Sequence, residues 1–298
     1  MKLLQNLFGF ERKETVGEIL FYRLFELFLI FWVIKYAWRW GLYMLRLEDV
    51  VLPLGIANYI DVTFMFSNHL SIVNAVLISA LVVAGYLRQS RYAYFVALLL
   101  LHLQYVARFS LGEISHGSNF VGIVLLAVSL ATIVFEHPQE VRRAALGLAY
   151  FFFGLGYTMA ASCKLIATGP HWVDGRHLWL WIDERTVDTF STFGEINLNL
   201  LQQVALDHYP FATMILMFGL FTELLGFAMW FKRSRPYITT LLICMHLGIL
   251  FIMKISFSSN LYLLILVAYP WARLIDGGLQ KVGAARLDKV RQRSTHLA

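Results

Sequence analysis

Residues 144–168 read AALGLAYFFFGLGYTMAASCKLIAT. Lys164 is the one charged side chain in this run. Wound as an α-helix at 1.5 Å per residue it would extend about 38 Å. A hydrocarbon core is about 30 Å thick and needs about 20 apolar residues to cross. A helix that coats a soluble core keeps a polar face, and this run has none. The stretch therefore predicts a bilayer-crossing helix with a lysine near one end.

Working outward, seven more apolar segments accompany it, at 19–38, 69–87, 92–109, 119–135, 211–231, 237–253 and 258–271. Composition agrees. Hydrophobic residues make up 59% of the chain and charged residues 15%, well below the roughly 25% of an ordinary soluble domain. The mean hydropathy is +0.64. The expectation is an all-α, polytopic integral membrane bundle of about eight transmembrane helices, with interfacial helices on its outer side. It would form a single membrane domain over 1–298, divided into an N-terminal segment (1–18), the bundle (19–272) and a basic tail (273–298).

Charge orients these segments. With eight spans, sixteen Lys and Arg fall on the side holding both termini. Only Arg46, Arg108, Arg176, Arg185 and Lys254 fall on the other. Cytoplasmic loops carry the excess of basic residues, so the expected location is the cell (inner) membrane, multi-pass, with both termini cytoplasmic. The same asymmetry accounts for the net charge of +6 without nucleic acid as a partner. The tail from Lys281 to Arg293 reads as a retention and anionic-lipid segment. Basic residues precede the first span, but no small-residue cleavage site follows it, so it reads as a helix that stays.

Two connections stand out. Residues 50–66 are apolar but short, with Pro53 and Asp61, and read as interfacial or re-entrant. Residues 169–210 form the long outer connection, where Trp172, Trp179 and Trp181 suit a headgroup-level belt. Within it, 186–206 has the spacing of one amphipathic helix lying on the membrane. Cys163 and Cys244 form no CxxC pair, and no HExxH-type spacing occurs, so no metal is expected.

An ionisable group inside a span costs about 2.5–3.5 kcal/mol on insertion scales and needs a reason. Glu26, His102, Lys164, Glu223 and His246 raise that question, with His116 at the outer start of the fourth span. Lys164 has two readings. A lysine within a turn of the headgroups snorkels; a desolvated lysine becomes a neutral amine able to act as a base. The histidines read equally as hydrogen-bonded interface or core residues, whereas Glu223 must be protonated or paired.

Four stretches carry a family resemblance. The first runs from Tyr157 through Ala160, Ala161 and Lys164–Leu165 to Trp172 and Gly175. The others are Phe221-Thr222-Glu223-Leu224-Leu225-Gly226, then Met245–His246 with Phe251 and Phe257, and His116-Gly117-Ser118-Asn119. Together they resemble the horizontally transferred transmembrane domain family, which is related to the membrane module of vitamin K-dependent γ-carboxylases. The chain differs from the carboxylases at Ala161, Cys163 and Ile249, where the family has Gly, Lys and Asn. The resemblance implies that Lys164 deprotonates a membrane hydroquinone of the vitamin K type, which then reacts with oxygen and drives modification of a peptide. It implies catalytic roles for Lys164 and His116, with His246, Glu223, His102, Trp172 and Tyr157 holding substrate or cofactor. Two functions follow. One is a hydroquinone-dependent oxygenase or peptide-maturation enzyme; the other is a non-enzymatic membrane partner that binds a peptide, a lipid or an exported protein.

Overall fold

The computed structural model describes residues 2–67, 69–110 and 116–282, apart from the side chains of Lys2 and His116. The described residues are helical, joined by turns, with no strand among them. In order, α1 spans Lys2–Leu7, α2 Val16–Met44, α3 Leu70–Tyr86 and α4 Ala93–Arg108. Then come α5 Asn119–Val134, α6 Pro138–Thr168, α7 Gly175–Phe193, α8 Leu200–Asp207 and α9 Tyr209–Leu224. The last are α10 Arg235–Met253, α11 Ser258–Ala268 and α12 Trp271–Val282.

Each of the eight apolar segments is helical. By length and composition, α6, α9 with its continuation to Trp230, and α10 can cross a membrane, and the bent pair α11–α12 is a fourth if taken as one span. The helices α3, α4 and α5 have only 16 or 17 residues. At 1.5 Å per residue they fall a few ångströms short of a ~30 Å hydrocarbon core. The 29-residue α2 is long enough, but Arg23, Glu26, Lys35 and Arg39 interrupt it. Apolar side chains face outward: Leu20, Leu24, Leu27 and Phe31 form one exposed stripe along α2. A stripe of this kind is stable where the surroundings are themselves apolar.

Glu26 lies on the opposite face of α2, fully buried. Arg23 (3.0 Å), Arg88 (2.9 Å) and the Tyr94 hydroxyl (2.8 Å) surround its carboxylate. Two guanidinium groups and a phenol replace the hydration that burial removed. Arg88 follows α3 with φ 59°, a left-handed conformation that usually belongs to glycine. The Gln89 amide donates to the Ala84 carbonyl and the Arg88 amide to that of Gly85, which closes the helix end.

Four expectations change in detail. The single outer helix at 186–206 is two helices. Gly194 (φ 73°) stops α7, and an Asn199–Gln202 capping box starts α8. That connection packs inward rather than lying free: Leu178, Ile182 and Ala205 form a small core with Ala212, Leu216 and Ile252. The last apolar segment ends at Ala268, because Pro270 holds Tyr269 extended (ψ 156°), and α12 turns away by 57°. Finally, the start of the expected tail is the ordered helix α12. Its Asp276 accepts from the Gly17 amide at 2.7 Å, and a Cβ at Gly17 would lie 2.3 Å from the Ala272 carbonyl. Residues 283–298 lie outside the described residues. Residues 50–66 hold two short 3₁₀ turns, Gly55–Asn58 and Thr63–Phe66.

Candidate functional site

The site is built where α6 crosses α9. Their approach depends on absent side chains. A Cβ at Gly154 would lie 2.5 Å from Trp230 Nε1, and one at Gly226 2.7 Å from Tyr157 Cβ. Thr158 Oγ1 accepts from the Phe227 amide at 2.9 Å, just where α9 tightens into the 3₁₀ turn Leu225–Trp230. This crossing fixes the register of the two helices. Lys164 on α6 then comes level with Glu223 on α9, and Nζ sits 2.5 Å from Oε2.

The connection that follows α6 roofs the pair. Gly169 (φ 60°) and Pro170 stop α6. The Asp174 carboxylate caps α7 through the Arg176 amide and grips the Arg176 guanidinium. Those hydrogen bonds hold the Asp174 carboxyl well below the usual carboxylate range. Gly175 lets α7 lie on α9, with its amide donating to Thr213 Oγ1 at 3.1 Å. Trp172 is thereby set over Lys164, with Nζ 4.5 Å from the ring centroid, and Trp181 packs against Trp172.

Beneath this roof lies a cavity of about 620 Å³, whose walls include Phe211, Met214, Phe218, Ile249 and Phe257. Among the described residues, Lys164 and Glu223 are its only charged lining residues. Tyr157 lies two turns below Lys164 on α6, and its hydroxyl meets His246 Nε2 at 2.6 Å. His246 packs against Phe257, which lines the cavity (5.2 Å between centroids), and its buried Nδ1 has no hydrogen-bond partner among the described residues.

Five of the residues singled out in the sequence thus gather here: Lys164, Glu223, Trp172, Tyr157 and His246. Of the other two, one lies elsewhere and one is not described. His102 is exposed on α4 and lines a separate cavity of about 490 Å³ with Tyr36 and Trp40. The His116 side chain lies outside the described residues. The neighbouring Gly117 carbonyl accepts from Tyr36 of α2 and Ser259 of α11, beside the cavity of His102.

The sequence reading named neither the Lys164–Glu223 pairing nor the aromatic wall. A stripe on α9 did carry a signal: Phe211, Ile215, Gly219 and Glu223 repeat every four residues on one helix face. Chemically, the site offers a flat apolar slot with one polar corner. The Lys164 ammonium has three donors, of which the pair uses one. Among the described residues, no three His, Cys, Asp or Glu side chains converge as a metal site would need. Comparison with protein-family models, curated proteins and solved structures finds no match for this chain.

Proposed function

We propose that the chain is an integral membrane enzyme of the γ-carboxylase-like, horizontally transferred transmembrane type. It would cross the cell membrane about eight times with both termini cytoplasmic, and use a lipid-soluble hydroquinone to modify a peptide near the outer leaflet. The observation that carries this reading is the apolar, aromatic-walled cavity of about 620 Å³ with Lys164 and Glu223 as its one polar corner. Phe211, Phe218 and Phe257 suit a flat ring with a hydrocarbon tail, and the ion pair suits its hydroxyl. When bound, such a hydroquinone supplies the reducing power for reaction with dioxygen.

The protein's share is proton handling and positioning. Lys164, as the free amine, takes the hydroxyl proton at Nζ, and the Glu223 carboxylate holds the ammonium that results. Trp172 covers one side of the amine, and the less water reaches the pair the stronger it is. Tyr157 orients His246 from behind Phe257.

The test is oxygen uptake by the purified protein with reduced vitamin K and other membrane hydroquinones. General base catalysis contributes about 100-fold or more, so uptake should fall by that factor in Lys164→Ala. Undiminished uptake in this variant, or none with any hydroquinone, would refute the enzyme reading. One observation favours a non-enzymatic role: Phe190, Phe193, Ile196 and Leu200 stand exposed along the α7–α8 connection. They suit docking of a peptide or exported protein. Co-purification of one stoichiometric partner, with Lys164 dispensable, would favour that alternative.

A further inference from the structure

A third cavity, of about 170 Å³, lies at the basic end of the bundle. The turn after α1, the starts of α2, α6 and α10, and the bend between α11 and α12 border it. Five cationic side chains line it: Arg12, Arg142, Arg143, Lys232 and Arg235. Among the described residues only two carboxylates, Glu14 and Glu18, do so.

The carboxylates are already engaged. Glu14 takes Arg142 through both oxygens, with Nε at 3.0 and 3.1 Å. Glu18 pairs with Arg12 and closes the α2 capping box with Thr15. Three cations remain. Arg143 is nearly buried, and among the described residues its Nη2 has no hydrogen-bond partner, only a loose ion pair with Glu18 at 3.7 Å. Arg235 is held by the Tyr150 side chain and donates to the carbonyls of Met229 and Asn6, with no carboxylate paired to it among the described residues. Lys232 converges with Arg143 on Gly9, where a Cβ would lie 3.5 Å from Lys232 Nζ and 3.6 Å from an Arg143 nitrogen. Gly9 has φ 54°, so the turn bends back over both groups. Burial, and then the charges of Arg12, Arg235, Arg143 and Arg273, hold the Lys232 amine below the usual lysine range.

Like charges brought together in a partly dry cleft repel unless an anion joins them. Positive-inside topology explains basic residues spread along loops. It does not explain five of them lining one half-open cleft, with a buried guanidinium nitrogen that has no hydrogen-bond partner among the described residues. We infer that this cavity is a binding site for a phosphate ester, held by Arg143, Lys232 and Arg235. Guanidinium forks match phosphate oxygens in pairs, and the lysine adds a point charge. The phosphate could belong to an anionic lipid headgroup entering from the membrane plane or to a free phosphorylated molecule.

The experiment compares thermal unfolding of the full chain in nanodiscs of phosphatidylcholine alone, in nanodiscs containing phosphatidylglycerol, and in phosphatidylcholine nanodiscs with added inorganic phosphate. The variants are Lys232→Gln and Arg143→Gln. Arg273→Gln is the control, since it removes the same charge at the same end but does not line the cavity. A rise in midpoint with phosphatidylglycerol that both cavity variants lose and the control keeps supports a lipid headgroup site. The same pattern with inorganic phosphate, and none with the lipid, supports a soluble phosphate ligand. Equal protection of all four proteins means that surface charge alone is responsible and overturns the site, as does protection by neither anion. Should Arg143→Gln fail to fold, Lys232→Gln against the control decides the matter.

Discussion

Replacing Lys164 by Met keeps an unbranched side chain of similar length but leaves the Glu223 carboxylate without its cation. The Lys164 side chain is 29% exposed and that of Glu223 11%, so the loss falls between a surface pair and a fully buried one. Removing one partner of a buried pair costs about 3–5 kcal/mol and of an exposed pair under about 1 kcal/mol. Discounting for the exposure of Lys164, Lys164→Met should cost about 2 kcal/mol. Removing both charges, in Lys164→Met with Glu223→Leu, takes the uncompensated carboxylate away as well. Buried pairs replaced by apolar groups of similar volume are often neutral, so the double variant should return to within about 1 kcal/mol of the parent. Thermal unfolding in lipid nanodiscs reads the difference, as a drop of about 5 °C in the single variant and little in the double. A single variant as stable as the parent, or a double variant no better than the single, would show that the two groups do not share an interaction. The proton-handling scheme would fall with it.

Other consequences follow from the same structure. Gly154→Ala forces a Cβ to 2.5 Å from Trp230 Nε1 and 2.9 Å from the Gly226 carbonyl, and overpacking of this kind costs about 1–3 kcal/mol. Its unfolding midpoint should fall, and hydroquinone-dependent uptake should fall with it as the α6–α9 register shifts. Arg88→Gly relieves a left-handed backbone but withdraws one of two guanidinium groups from Glu26. With Arg88 37% exposed, the net effect should be a loss of about 1 kcal/mol in unfolding experiments, and a gain would mean that backbone strain outweighs the ion pair. For Asp174, a depressed carboxyl pKa contributes stability above the unfolded value of about 3.9, and loses it only as pH falls through the lower folded value. Limited proteolysis around residues 169–176 should therefore be unchanged from pH 7 down to about pH 4, and should accelerate in Asp174→Ala at every pH in that window.

Much of the helical content was legible in the sequence because hydrophobicity is a local property. A run such as 144–168 declares a long apolar helix wherever its neighbours lie, and Gly169–Pro170 declares where it stops. Lys164, Glu223 and His246 were also legible as residues needing an explanation, because an ionisable group in an apolar run is costly in itself. The break at Gly194 was less visible, since apolar spacing continues across it and only the left-handed backbone ends α7. The fate of residues 273–282 was hidden too, because the docking of α12 depends on Gly17, over 250 positions away in sequence.

What the sequence alone determined, then, is that this chain is helical, too apolar for an ordinary soluble domain, and sparing with its charges. Tertiary structure decided which of those charges meet. Lys164 and Glu223 are 59 residues apart, and no periodicity within α6 or α9 specifies that they share a cavity. The close crossing at Gly154 and Gly226 sets that register. The same holds at the other end, where Arg143, Lys232 and Arg235 look like ordinary loop cations until the bundle folds them around one small space. Pairing depends on how helices pack, and packing is a property of surfaces that meet only in the folded chain.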